Sequence, residues 1–157
     1  MSGGATGPRP GRGRVAALDL GSKRIGVAFS DSARSLASPW GTIERTGDAA
    51  RDRGTVVEVV REVGASTVVI GLPLRLSGDA GPAARAALEE AGALRALLEP
   101  IGIEVQPADE RLTTVEAERA LRAAGRTGRA ARRVVDAAAA MVLLQSWLDA
   151  QRGPVGQ

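Results

Sequence analysis

The chain has 157 residues, enough for one domain with a real core, and its 44% hydrophobic and 25% charged residues are ordinary for a globular protein. Cys and His are both absent, which excludes disulfides, thiolate or imidazole zinc sites and every Ser-His-Asp or Cys-His nucleophile. The net charge is +3 and the pI about 10.8; Lys23 is the sole lysine, every other basic side chain being an arginine that forks well onto phosphate, although a coding bias toward Arg and Ala gives the same composition.

Met1 to Arg14 is rich in Gly, Pro and Arg without an apolar run, so it reads as a disordered arm over 1–13 and not as a signal peptide. Nothing approaches the ~20 apolar residues that cross a bilayer, so no membrane partner is expected and a cytoplasmic location is. Order is expected over 14–150, followed by a loose tail over 151–157.

Val15-Ala16-Ala17-Leu18-Asp19-Leu20 is an apolar run stopped by Gly21, a buried strand. After the turn Gly21-Ser22-Lys23, Arg24 to Ser30 returns as the second arm of a hairpin. Leu36 to Glu44 predicts a third antiparallel strand, weakened by Pro39 and Gly41. Asp48 or a neighbour caps a helix to about Val63, against the low helix propensity of its many valines. The β-branched run from Thr67 to Gly71 predicts a strand buried on both faces. Leu72 to Gly81 is a loop, and Pro82 opens a helix to about Leu98 in which Leu88, Ala91, Leu94 or Arg95, and Leu98 recur at helical spacing. Ile103 to Pro107 is a fifth strand. Thr113 and Glu116 form a capping box for a short helix ending by Gly125, and a last helix covers Ala130 to about Ala150. Three antiparallel strands followed by alternating helices and strands predict an α/β domain: a mixed five-stranded sheet, three strands antiparallel and then two parallel, flanked by helices.

With no His or Cys, any catalysis must come from carboxylates, hydroxyls, Lys, Arg and bound ions. Asp19 lies in an apolar strand, where an ionised carboxylate is costly unless paired or metal-bound; the ordinary alternative is a turn aspartate. Asp136 begins a helical row with Ala140, Leu143 and Trp147, pointing it toward the sheet, unless it simply pairs with Arg132. Asp109 and Glu110 follow the fifth strand; in extended chain only one can face a shared site, and spacing does not choose between them. Either can equally pair with Arg111 or complement the following helix dipole. Three carboxylates from separate segments suit two-metal phosphodiester hydrolysis, with the ions ~4 Å apart.

The stretch Arg119 to Arg133 carries Arg119, Arg122, Arg126, Arg129, Arg132 and Arg133 around Gly125 and Gly128. Beside Asp136 it reads as a phosphate-gripping patch, though a charge run is more often a solvated surface. Phe29, Trp40 and Trp147 are the only aromatics and read as core residues, so contacts to nucleic acid should be to backbone and shape.

Four segments resemble one known family. They are Asp19-Leu-Gly21-Ser-Lys23-Arg24-Ile-Gly26-Val-Ala-Phe-Ser-Asp31; Ile70-Gly71-Leu72-Pro73-Leu74 with Gly78 and Gly81; Asp109-Glu110-Arg111-Leu112-Thr113-Thr114 through Glu118; and Val135-Asp136-Ala137-Ala138-Ala139 to Asp149. Together they resemble the bacterial YqgF/RuvX family of the ribonuclease H-like superfamily, over nearly the whole ordered chain. Its members are described as candidate Holliday junction resolvases and as nucleases maturing the small-subunit ribosomal RNA precursor. The resemblance implies the ribonuclease H-like fold with its strand order, and a hydrolase that cleaves phosphodiester bonds. It maps Asp19, Glu110 and Asp136 to catalytic, metal-holding carboxylates for Mg²⁺ or Mn²⁺. Lys23, Arg24, Arg111, Arg122, Arg126, Arg129, Arg132 and Arg133 are then the expected nucleic-acid contacts.

One departure stands out: junction resolvases carry a Glu at the end of the fourth strand, where this chain has Gly71-Leu72-Pro73, and the acid has moved to Glu110. Ribosomal RNA precursor therefore ranks ahead of branched DNA as the expected substrate. Symmetric junction cleavage would call for a homodimer, and RNA trimming would not. Two other classes compete. Asp-x-Gly before a hairpin also opens sugar-kinase and actin-like ATPase domains, but those need a second domain and phosphate motif. A non-catalytic nucleic-acid-binding protein, a ribosome-assembly or transcription factor, would use the arginines alone.

Overall fold

The computed structural model describes residues 13–72, 81–109 and 129–152, the last without the side chains of 129–136. Five strands form one sheet: β1 (Arg14–Leu20), β2 (Arg24–Ser30), β3 (Ala37–Glu44), β4 (Ala65–Leu72) and β5 (Glu104–Asp109), in spatial order β3-β2-β1-β4-β5. β1, β2 and β3 pair antiparallel, whereas β4 lies parallel to β1 and to β5. Among the described residues three α-helices cover the faces: α1 (Ala49–Glu62), α2 (Pro82–Leu98) and α3 (Arg129–Gln151). This is the mixed α/β sheet that the order of elements predicts. The short helix expected after Thr113, most of the arm over 1–13 and all of the tail beyond Arg152 lie outside the described residues.

Alternation along the strands divides the core in two. Ala16 and Leu18 of β1, with Val68 and Ile70 of β4 and Val105 of β5, pack against Val56, Val59 and Val60 of α1 and Leu94 and Leu98 of α2. Val15 and Ala17, with Ala28, Val69 and Ala108, pack against Ala140, Leu143, Leu144 and Leu148 of α3. The valines of α1 stay helical because burial outweighs their small propensity deficit, and because Asp48 caps the helix by accepting from Arg51 N at 3.1 Å.

Three expectations need correction. β5 continues through Pro107 to Asp109, so Asp109 belongs to the strand; proline is tolerated because β5 is an edge. Leu88 is 36% exposed rather than core, since it sits at the open side of α2. Trp40 is likewise 36% exposed on the other edge strand, while Phe29 and Trp147 are only partly buried against the two core clusters. Among the described residues no helix is long and apolar enough to cross a membrane.

Candidate active site at the end of the first strand

Asp19 is the next-to-last residue of β1, at the point where the strand leaves the core. By alternation it shares the face of Val15 and Ala17, the side covered by α3. Its neighbour on β2 is Gly26. On the other side Leu18 pairs with Ile70, so Gly71 is the next residue along β4, and Gly71 in turn pairs with Ala108 of β5. Asp19, itself partly buried, is therefore flanked on the sheet by Gly26 and Gly71, which carry no side chain, with Ala108 beyond Gly71.

The turn that follows is fixed by close contacts. Gly21 N donates to Asp19 O at 3.0 Å. A Cβ on Gly21 would lie 2.6 Å from the Arg24 carbonyl oxygen, so only glycine fits. Lys23 is exposed at the tip. Arg24 is nine-tenths buried and its Nε donates to Glu44 Oε2 at 3.0 Å, so it meets the surrounding depression of about 550 Å³ as half of an ion pair. Arg45, just past β3, reaches back: its backbone N donates to Lys23 O at 3.1 Å and its Nε to Gly21 O at 2.7 Å. Both terminal nitrogens donate to the Glu90 carboxylate of α2 at 2.8 Å. Those Glu90 hydrogen bonds raise the guanidinium pKa above its ordinary value against the opposing effect of partial burial. Asp52, buried on α1, accepts from Thr46 N and from Thr46 Oγ1 at 2.8 Å and closes the floor of the same depression.

Asp136 lies on α3, four residues before the fully buried Ala140. The other end of the helix is tied to the sheet. Gln145 Oε1 accepts from Ala37 N at 2.9 Å. Ala37 pairs with Ser30, whose Oγ accepts from Val15 N at 2.8 Å; Gln145 thus marks the Val15 end of the sheet. α3, the helix that covers Asp19's face of the sheet, carries Asp136 ahead of Gln145. The expected row holds on its described members, with Ala140 and Leu143 buried and Trp147 partly so.

Asp109 pairs with Leu72, a residue of the α1/α2 core, and so faces away from Asp19. Glu110, Arg111, Arg122 and Arg126 lie outside the described residues; Arg129, Arg132 and Arg133 fall in the first turns of α3. Among the described residues no three metal-ligating side chains assemble, as Glu110 and the Asp136 side chain are outside that set. The donor chemistry nevertheless fits a hard divalent cation: a chain without His or Cys offers only oxygen. Arg45 and Glu90 have no mark in the sequence because each lies in a segment distant from the other, and Asp52 has none because its partner, Thr46, is nearby but fits no helix or strand spacing.

A family model described as "RuvX: Holliday junction resolvase" matches residues 13–150. A Mycobacterium sp. (strain KMS) protein named as a candidate pre-16S rRNA nuclease is 44% identical over 143 residues, covering 91% of this chain and 83% of that protein. Proteins of the same name from Nocardia farcinica and Rhodococcus opacus are 46% and 47% identical, each covering 89% of this chain and 79% of the relative. Among solved structures, Thermus thermophilus RuvC in complex with Holliday junction substrate superposes with a TM-score of 0.56 at 16% identity, covering 89% of this chain and 96% of that one. That likeness establishes the ribonuclease H-like fold.

Proposed function

The chain belongs to the RuvX family, and on that premise we propose that it is a metal-dependent endonuclease that matures the 5′ end of pre-16S ribosomal RNA in the cytoplasm. The observation that supports the chemistry is the place of Asp19 near the end of β1, on the sheet face covered by α3, the helix whose sequence carries Asp136. Asp19, Asp136 and Glu110 would hold Mg²⁺ or Mn²⁺. Glu110 is taken over Asp109 because alternation turns Asp109 to the other face. Two such ions, when bound, supply an activated water and stabilise the leaving oxygen of a phosphodiester.

The chain's own residues position the substrate. Lys23, exposed on the turn after Asp19, is placed to meet a backbone phosphate beside the reacting one. Arg111, Arg122, Arg126, Arg129, Arg132 and Arg133 supply the wider electrostatic grip. Arg24, buried against Glu44, acts by holding the hairpin and adding positive field. RNA ranks first because the relatives sharing 44–47% identity carry that name. Junction cleavage is the second reading, favoured by the family description. β4 ends in Gly71 and Leu72, without an acid of its own there, which speaks against it.

Cleavage by wild type and Asp19→Asn, with Mg²⁺ or Mn²⁺, on a pre-16S RNA fragment and a four-way DNA junction, tests this reading. Wild type should cut the RNA and the variant should not. Preference for the junction, in a homodimer, would exchange the two readings. Binding with a steep salt dependence but no cleavage by either protein would leave a non-catalytic nucleic-acid-binding protein.

A further inference from the structure

We infer that Arg45 and Glu90 form a positioning clamp for the Asp19 turn, and that site geometry depends on this pair although neither residue reaches the reacting atoms. The inference rests on the metal-nuclease reading of Asp19. A continuous chain of hydrogen bonds connects the parts. Asp19 O accepts from Gly21 N, Gly21 O accepts from Arg45 Nε at 2.7 Å, and both Arg45 terminal nitrogens donate to Glu90 at 2.8 Å. Arg45 N also donates to Lys23 O. One residue therefore holds both ends of the three-residue turn and fastens it to α2 across 45 positions of sequence.

The bond to Lys23 comes from the backbone, but only an arginine side chain can join Gly21 to Glu90. Its planar fork presents Nε to one acceptor and two terminal nitrogens to a carboxylate at once, while lysine offers a single point of donation. Both side chains are about four-fifths buried, so the pair is shielded from the screening that makes exposed ion pairs weak. The turn itself has no core: Ser22 and Lys23 are exposed and Gly21 contributes no side chain. Without the fork, nothing among the described side chains would tie Gly21 O down. A carboxylate at a metal site must be held to within a fraction of an ångström, and misplacement by about 1 Å costs on the order of a hundredfold in rate. The second consequence concerns substrate: Lys23, held through its carbonyl, keeps a fixed place relative to Asp19.

The test compares wild type, Arg45→Lys, Arg45→Gln and Glu90→Gln by three measurements: backbone amide exchange over Leu20–Lys23, Mn²⁺ affinity of the free protein, and kcat and KM on the RNA fragment. Arg45→Lys should melt within a few degrees of wild type yet lose protection in the turn, bind Mn²⁺ more weakly and fall ~10-fold or more in kcat with KM little changed. Arg45→Gln should lose more, and Glu90→Gln less, since an amide oxygen still accepts one bond. Unchanged exchange and Mn²⁺ affinity in Arg45→Lys would overturn the clamp, whatever cleavage shows. Failure of wild type to cleave, or full activity in Asp19→Asn, would instead overturn the nuclease reading and leave the exchange result to decide the clamp by itself.

Discussion

Asp109 pairs with Leu72 across the parallel β4–β5 ladder, on the face of the sheet opposite Asp19. On the proposed reading the cation accordingly goes to Glu110 and not to Asp109. Asp109→Asn should therefore keep cleavage within about twofold of wild type, as for a residue outside the machinery. Glu110→Gln should lose on the order of a hundredfold or more. Single-turnover rates on the RNA fragment decide it, and the reverse order would move the metal site to the other side of the sheet.

Gly21→Ala puts a methyl group 2.6 Å from the Arg24 carbonyl oxygen, a backbone atom that cannot swing aside. The expected cost is about 1–3 kcal/mol of stability. Activity should fall further than stability does, because the displaced turn carries Asp19 with it. Urea unfolding beside kcat checks this; a destabilised but fully active variant would separate the turn from catalysis.

Asp31 should govern part of the acid response. Its carboxylate accepts from Ser35 Oγ at 2.7 Å, and from the backbone N–H groups of Ser35 and Leu36. The Ser35 hydroxyl above all, then those amides, lower its pKa to about 2. A depressed carboxylate pKa contributes stability present above the unfolded value of 3.8 and lost as pH falls toward 2. Wild type should thus lose melting temperature between pH 4 and 2 more steeply than Asp31→Asn. Parallel curves for the two proteins would show that the loop's hydrogen bonds do not distinguish folded from unfolded chain.

Leu144 anchors α3, fully buried in the cluster with Val15, Ala28 and Val69. Leu144→Ala should cost about 2–5 kcal/mol in urea unfolding. Leu97→Ala, on the exposed side of α2, should cost under ~1 kcal/mol. Equal effects would mean that α3 contributes little to the core.

Much of this architecture was legible because short-range patterns and burial agree. The apolar run before Gly21 is β1, the Asp48 cap does begin α1, and Pro82 does open α2. β4 starts earlier than its β-branched run, at Ala65, because Ala65 pairs with Arg14, Ser66 being the extra residue at the register shift that follows. Pro107 looked like a strand end and is not one, since only the strand's place at the edge makes a missing N–H harmless. Edge position is a property of the assembled sheet and has no local signature. The same holds at the candidate site. Asp19 announces itself as a charge in an apolar strand, whereas Asp109 gains a face only once the pairing of β5 with β4 is known. Arg45 and Glu90 look like ordinary surface charges until the fold brings them together.

Both outer strands of the sheet contain a proline, Pro39 in β3 and Pro107 in β5, and β3 adds a register shift and Gly41 at φ 140°. Neither rim can therefore template a further strand without a missing donor or a twist in its path. The domain is protected against growth by strand addition, the route by which open sheets polymerise and precipitate. A second copy approaching either of the described rims would meet an interrupted ladder, which disfavours pairing strand to strand.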